Sequence, residues 1–206
     1  MIAIIDYDAG NIKSVEKALQ KIGEEVVLTR SREELLAADK VILPGVGSFG
    51  DAMNNLENFS LIPVIREIVE KGTPFLGICL GLQVLFEKSE ESPDVKGLGI
   101  LKGEVCRFPE TEGLKIPHMG WNSLHLQGNG RLFRGIPEDS YVYFVHSYYL
   151  KAADPSIVKA TAEYGVTFDA SVEQGNVFAA QFHPEKSSDT GLAILANFAA
   201  IGKENQ

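Results

Sequence analysis

The sequence predicts an α/β protein: a three-layer sandwich with a mostly parallel central sheet, to which the second half of the chain adds a largely antiparallel strand region. Three observations point there. Short β-branched runs alternate with helical patterns through the first half, the runs KVIL and TPFLGI lack polar alternation, and from Leu98 onward the segments become alternating and aromatic-rich. Strand, helix, strand repeats build parallel sheets, and strands without polar alternation are covered on both faces. Alternation marks strands with one wet face.

The elements follow in order. MIAIID opens as a strand, NIKSVEKALQKIG is a helix that should stop at Gly23, and EVVLTR is the next strand. REELLAA is a helix, and Ser31 and Glu34 have the spacing of a capping box at its start. KVIL is a strand, a helical stretch begins at Ser48, and LIPVIREIVEKG is a helix ending at Gly72. TPFLGIC is a strand that runs directly into a helix, LGLQVLFEKSE. GEVCRF, MGWNSLHL, YVYFVHSYYL, VKATAEY and VFAAQFHP read as strands separated by Gly, Pro and Asp, and an amphipathic helix from about Thr190 to Ile201 returns to cover the sheet. There is no internal repeat and no low-complexity linker, so 206 residues that are 45% hydrophobic are expected to form one domain.

Composition excludes several function classes. A net charge of -9 without any Lys/Arg block argues against nucleic acid or an anionic membrane surface as the main partner. Cys79 and Cys106 are too few for a disulfide framework, and no basic segment followed by a long apolar run precedes MIAIID, so a reducing cytoplasmic compartment is expected. The longest apolar stretches, such as LAILANFAAIG, are roughly half of the ~20 residues needed to cross a bilayer.

The chemistry concentrates at Cys79, which lies between an apolar strand and a helix with Gly77 and Gly81 two residues to either side. That is the layout of a nucleophile elbow, in which a strained turn presents the nucleophile and glycine lets the neighbouring chain pass. A helix N-terminus adds partial positive charge, which favours thiolate. A buried cysteine acting as a small hydrophobe is the bland alternative, and the two glycines weigh against it. Of the four histidines only His183 has a suitable neighbour in sequence: in FAAQFHPEKS, Pro184 imposes an extended path, and His183 and Glu185 are expected to project from one face of a strand. Cysteine, histidine and glutamate then fill the roles of nucleophile, proton carrier and orienting carboxylate. An oxyanion hole needs the N–H of Leu80, next after the nucleophile, and a second donor from Val46 or Gly47 in the turn PGVG, at the carboxyl edge of the sheet where open α/β folds place their sites. The glycine-flanked Val46 peptide is free to reorient when a partner binds. His118, His125 and His146 read as structural or interfacial; none has metal-ligand spacing with the cysteines, so neither a metal nor a cofactor is predicted.

Taken together, PGVGSFG, GICLGLQ, YFVHSYY and FHPEKS resemble the class I, triad-type glutamine amidotransferases, in order and over most of the chain. YDAGNIKSV and IPHMGWN are similar to one branch of that family, the glutaminase subunits of imidazole glycerol phosphate synthase. The resemblance implies a single glutamine amidotransferase domain over residues 1–206. It also implies hydrolysis of L-glutamine through a γ-glutamyl thioester on Cys79. Ammonia would pass through a tunnel to a separate cyclase subunit, in a heterodimer that makes imidazole glycerol phosphate and an aminoimidazole carboxamide ribotide in histidine biosynthesis. It implies Gln83 and Glu91 as side chains gripping the glutamine, with main-chain help from Gly47, Ser147 and Tyr148. Gln83 has its own rationale, lying one helical turn past the nucleophile, whereas acidic residues in EKSEES are ordinarily a solvated helix end. By the same resemblance Asn11, Trp121, Asn122 and Lys186 face the cyclase; a core position is the alternative for Trp121, the only tryptophan. Asp8 departs from the YGxGN segment of that branch, which carries glycine there.

Three other readings compete. A glutaminase serving another synthase would carry a different turn, PGPG-like or PGGES-like, in place of PGVGSFG. A free-standing cysteine amidohydrolase would be active alone, and an idle binding subunit would not need the Cys79, His183 and Glu185 set. The chain has no P-loop and no room for a synthetase domain, so the acceptor chemistry belongs on another polypeptide.

Overall fold

The computed structural model describes residues 1–202. The first half alternates β1 (Ile2–Ile5), α1 (Ile12–Lys21), β2 (Val26–Thr29), α2 (Arg32–Ala37), β3 (Lys40–Leu43), α3 (Phe49–Asn58), α4 (Leu61–Glu70), β4 (Phe75–Ile78) and α5 (Leu80–Val84). The second half supplies β5 (Lys88–Ser89), β6 (Gly103–Arg107), β7 (His118–Ser123), β8 (His125–Leu126), β9 (Tyr141–His146), β10 (Tyr148–Ala152), β11 (Val158–Glu163), β12 (Thr167–Gln174), β13 (Val177–Ala180) and α6 (Ser188–Ala200). The main sheet runs β2-β1-β3-β4-β13-β12-β10-β6-β5. Strands from β2 to β13 along this path are parallel, and those from β13 to β6 antiparallel.

The apolar strands are covered on both faces, and the side-chain alternation sorts them into two cores. Ala3 and Ile5 of β1, Val41 and Leu43 of β3 and Phe75 of β4 enter a core roofed by α2, α3 and α4. Ile2 and Ile4, Ile42, and Leu76 and Ile78 enter the opposite core under α1 and α6. With a strand period of two, continuous apolar runs are what burial on both faces requires. The Ser31 cap forms as expected, its hydroxyl accepting from the Glu34 N–H, but the Glu34 carboxylate turns to Thr29 instead of closing the box. Gly23 and Gly72 stand in left-handed conformation just past α1 and α4, where the expected helix stops lie.

Three elements differ from expectation. The segment TFDASVEQ forms β12, although its acidic and hydroxyl residues give it a polar reading. Those side chains are used within the sheet: Asp169 accepts from Ala152 N–H, Ser171 donates to the Ala179 carbonyl, and Glu173 pairs with Arg131. The run YVYFVHSYYL breaks at Ser147 into β9, paired with β7 in a two-stranded sheet, and β10 in the main sheet. The helix after Cys79 is five residues long, not eleven: beyond Val84 the chain leaves it, and Lys88 and Ser89 join β6. Among the described residues no helix is long and apolar enough to cross a membrane.

Candidate active site

β4 delivers Cys79 to the carboxyl edge of the sheet with φ 54° and ψ -110°, a conformation that strains any L residue. The turn is held at both ends, Cys79 N–H donating to the Ala180 carbonyl at 2.7 Å and its own carbonyl accepting from Leu82 N–H at 3.0 Å. Glycine at 81 is a steric necessity, since a Cβ there would lie 1.9 Å from the Leu43 carbonyl oxygen. The expected elbow is therefore present, with α5 packed against the end of β3.

β13 lies beside β4 in parallel register, Ala180 opposite Ile78, so the residues following Ala180 pass alongside Cys79. His183 and Glu185 do not sit on a strand face as expected. β13 ends at Ala180, and Pro184–Lys186 form a 3-10 turn leading to α6. That turn brings the two side chains together: His183 Nδ1 and Glu185 Oε1 are 2.7 Å apart, and both side chains are buried. The same carboxylate oxygen accepts from the Asn11 amide, so Asn11 is directed at the site and not at an outer face. Burial alone would lower the basicity of His183, but the neighbouring Cys79 sulfur and the hydrogen-bonded Glu185 carboxylate outweigh this and raise it to about 10. Nε2, the ring nitrogen turned away from Glu185, has no hydrogen-bond partner of ordinary geometry.

Cys79 and His183 open into a cleft of about 360 Å³. Val46, Gly47, Leu80, Gln83, Glu91, Ser147 and Tyr148 all line it, which places every predicted oxyanion and glutamine-binding residue on one cavity. Glu91 is no solvated helix end: its carboxylate accepts from Phe49 N–H at 2.7 Å, at the start of α3. The Leu80 N–H is engaged at 3.3 Å by the Gly45 carbonyl, so this oxyanion donor is occupied by the neighbouring Pro44–Gly47 turn. Gly45 is itself hemmed in by Tyr7, whose hydroxyl donates to the Pro44 carbonyl at 2.7 Å and would meet a Cβ on Gly45 at 2.3 Å.

The four partner-facing predictions separate. Trp121 is 51% exposed, not in the core, and Lys186 is exposed with its ammonium over the Tyr143 ring. Asn122 is half-buried, donating to the Glu163 carbonyl and meeting His118 Nε2. Asp8 has φ 63°, which explains why glycine suits that position, and its carboxylate pairs with Arg30.

A model of the family described as glutamine amidotransferase class-I matches residues 3–201. The chain belongs to the class-I glutamine amidotransferases. Among similar proteins, the imidazole glycerol phosphate synthase subunit HisH of Moorella thermoacetica is 53% identical over 97% of this chain and 94% of its own length. The protein of the same name from Methanocaldococcus jannaschii is 52% identical over 98% and 100%. Of solved structures, one described as a glutamine amidotransferase has a TM-score of 0.74 at 23% identity, covering 97% of this chain and all of its own. PurLQS from Thermotoga maritima gives 0.73 at 22%, covering 96% of each. These structures speak for the fold.

This amidotransferase also has site residues that carry no local sequence signal. Gln181 is fully buried, with its Nε2 3.7 Å from Cys79 Sγ and its Oε1 accepting from Gln83 Nε2 at 3.0 Å. Tyr7 is raised by burial and by the nearby Cys79 charge. Gln181 follows Ala180, which lies opposite Ile78 in the β13–β4 register, and it is this pairing, not a local pattern, that sets it beside the nucleophile. Among the described residues, His125, Glu138 and Asp139 are the one group whose ligand atoms lie within 4.8 Å of one another, and Glu138 already accepts from Leu126 N–H.

Proposed function

We propose that this chain is the glutaminase subunit of imidazole glycerol phosphate synthase in histidine biosynthesis. The observation that carries the reading is the Cys79, His183 and Glu185 constellation at the head of a cleft lined by Gln83, Glu91, Ser147 and Tyr148. Relatives of that name at more than half identity over nearly the whole chain support the choice of synthase.

The Cys79 thiolate attacks the carboxamide carbon of L-glutamine. As the C–N bond breaks, the His183 imidazolium gives its proton to the departing nitrogen, which leaves as ammonia. Water then attacks the γ-glutamyl thioester, His183 takes its proton, and the C–S bond breaks to give glutamate and the thiolate again. Glu185 holds the imidazole in one tautomer, and Asn11 holds Glu185. Leu80 and the Val46–Gly47 turn are the candidate oxyanion donors, while Gln83 and Glu91 grip the amino-acid end of the substrate. Residues 1–206 act as one domain, a reading supported by β13, which joins the parallel and antiparallel halves in one sheet.

The ammonia acceptor belongs to a cyclase subunit, and a docking face for it is supported by β7 and β9. Their register sets Trp121 beside Tyr143 and Met119 beside Val145. This leaves an exposed apolar strip flanked by Lys186. The test is ammonia release from glutamine by the purified chain, alone and with the cyclase subunit and its ribonucleotide ligand. Stimulation that needs both the partner and Cys79 is the expected result. Full activity without the partner would instead favour a free-standing amidohydrolase.

A further inference from the structure

We propose that Gln181 is a catalytic residue whose side-chain N–H donates to the Cys79 sulfur, stabilising it as a thiolate. The inference rests on the glutaminase reading above, in which Cys79 is the nucleophile.

Gln181 occupies a fully buried position immediately after β13, a place where an apolar side chain is the ordinary choice. Its amide has two named partners, Gln83 Nε2 on the oxygen side at 3.0 Å and Cys79 Sγ on the nitrogen side at 3.7 Å. The first fixes the second. Reversing the amide would set two NH2 groups against each other, so the oxygen must face Gln83 and the N–H must face sulfur. Gln83 is itself fixed, its Nε2 also donating to the Tyr148 carbonyl at 3.1 Å. A thiol is a poor acceptor and a thiolate a good one, so a donor locked in this place favours the charged form. Gln181 is not part of the cleft wall, which separates this task from holding substrate.

The donor acts twice in the cycle. It raises the fraction of Cys79 ready to attack, and it stabilises by hydrogen bonding the electron pair that sulfur takes when the C–S bond of the thioester breaks. In both steps charge sits on the sulfur and the N–H stays on Gln181, so no proton changes hands at this residue. His183 meets the same sulfur with its own charge, so the two groups divide the work: the imidazole moves the proton and the amide steadies the sulfur.

The experiment is alkylation of Cys79 by iodoacetamide across a pH series, in a Cys106→Ser background so that one thiol reacts. Gln181→Met removes donor and acceptor together without adding charge, while Gln181→Glu keeps an oxygen for Gln83 and exchanges the donor for a carboxylate, whose charge also opposes a thiolate. Both variants are expected to alkylate at least about tenfold more slowly at neutral pH, with the profile moved to higher pH, because hydrogen bonds to charged groups are worth that much. With glutamine, kcat falls by about tenfold or more while KM moves less than about threefold. Gln181→Glu alkylating like the unaltered protein would overturn the proposal and leave Gln181 as a prop for Gln83. Should a variant fail to fold, the Gln181 side-chain amide resonance of the unaltered chain decides: it must titrate with Cys79 and cease to do so in Cys79→Ser. Alkylation needs no glutamine, so its outcome is independent of the glutaminase reading, which fails separately if ammonia release survives Cys79→Ala.

Discussion

The Asn11 amide donates to the oxygen of Glu185 that also accepts from His183, although Asn11 stands where a helix cap is expected and caps nothing with its side chain. Asn11→Ala therefore loosens the orientation of the imidazole without touching the cleft wall. The expected result is a kcat lowered by about tenfold or more, with KM for glutamine little changed, since positioning groups act on the rate. A second residue-scale prediction concerns His118 and His146, stacked among Phe108, Phe144 and Phe168 with Nδ1 of the first 2.9 Å from Nε2 of the second. Burial holds them down to about 4 and about 3. Below about pH 6.5 the unfolded chain takes up protons that these folded rings refuse, so the stability they contribute is complete above that pH and is lost as pH falls. Urea unfolding should weaken steadily from neutral pH toward about pH 4, and His118→Gln should weaken less over that range. The nucleophile, the histidine and its carboxylate were legible because each lies in a short local string. Gln181 and Tyr7 were not, because they reach the site through strand register and a turn contact that no local pattern encodes.

At the scale of elements, α5 is where the sequence misleads and where the site is most tightly constrained. LGLQVLFEKSE has a helical pattern, but Phe86 and Leu85 are fully buried and the chain turns to meet Gly103 and β6, a tertiary pull that composition does not reveal. The glycine at 81 was legible as part of the elbow, and its reason is contact with Leu43. Gly81→Ala should destabilise the protein by about 3 kcal/mol or abolish folding, measured by urea denaturation, because backbone and not a flexible side chain occupies the space. The turn from Pro44 to Gly47 makes the complementary prediction. Its Gly45 carbonyl occupies Leu80 N–H in the chain alone. Binding of the cyclase subunit should release that amide, and hydrogen exchange at Leu80 should change on complex formation. An amide protected equally with and without partner would sink the reorienting turn.

At the scale of the molecule, β13 carries the architecture: it closes the parallel half against β4, opens the antiparallel half against β12, and sends Gln181, His183 and Glu185 past the elbow. The α/β class and both halves were legible from strand composition; the order of strands was not, because pairing across about a hundred residues leaves no local trace. The two-stranded sheet of β7 and β9 turns Trp121 outward against water. Trp121→Ala should weaken cyclase binding by about 2 kcal/mol or more while leaving the basal glutaminase rate of the isolated chain unchanged, as titration of the complex would report. The central claim, a covalent glutamyl enzyme on Cys79, is tested most directly by acid-quenching the protein during turnover of glutamine with its cyclase partner and measuring intact mass. A γ-glutamyl adduct mapped to the Cys79 peptide is the predicted result. Ammonia release with no adduct, undiminished in Cys79→Ala, would contradict it.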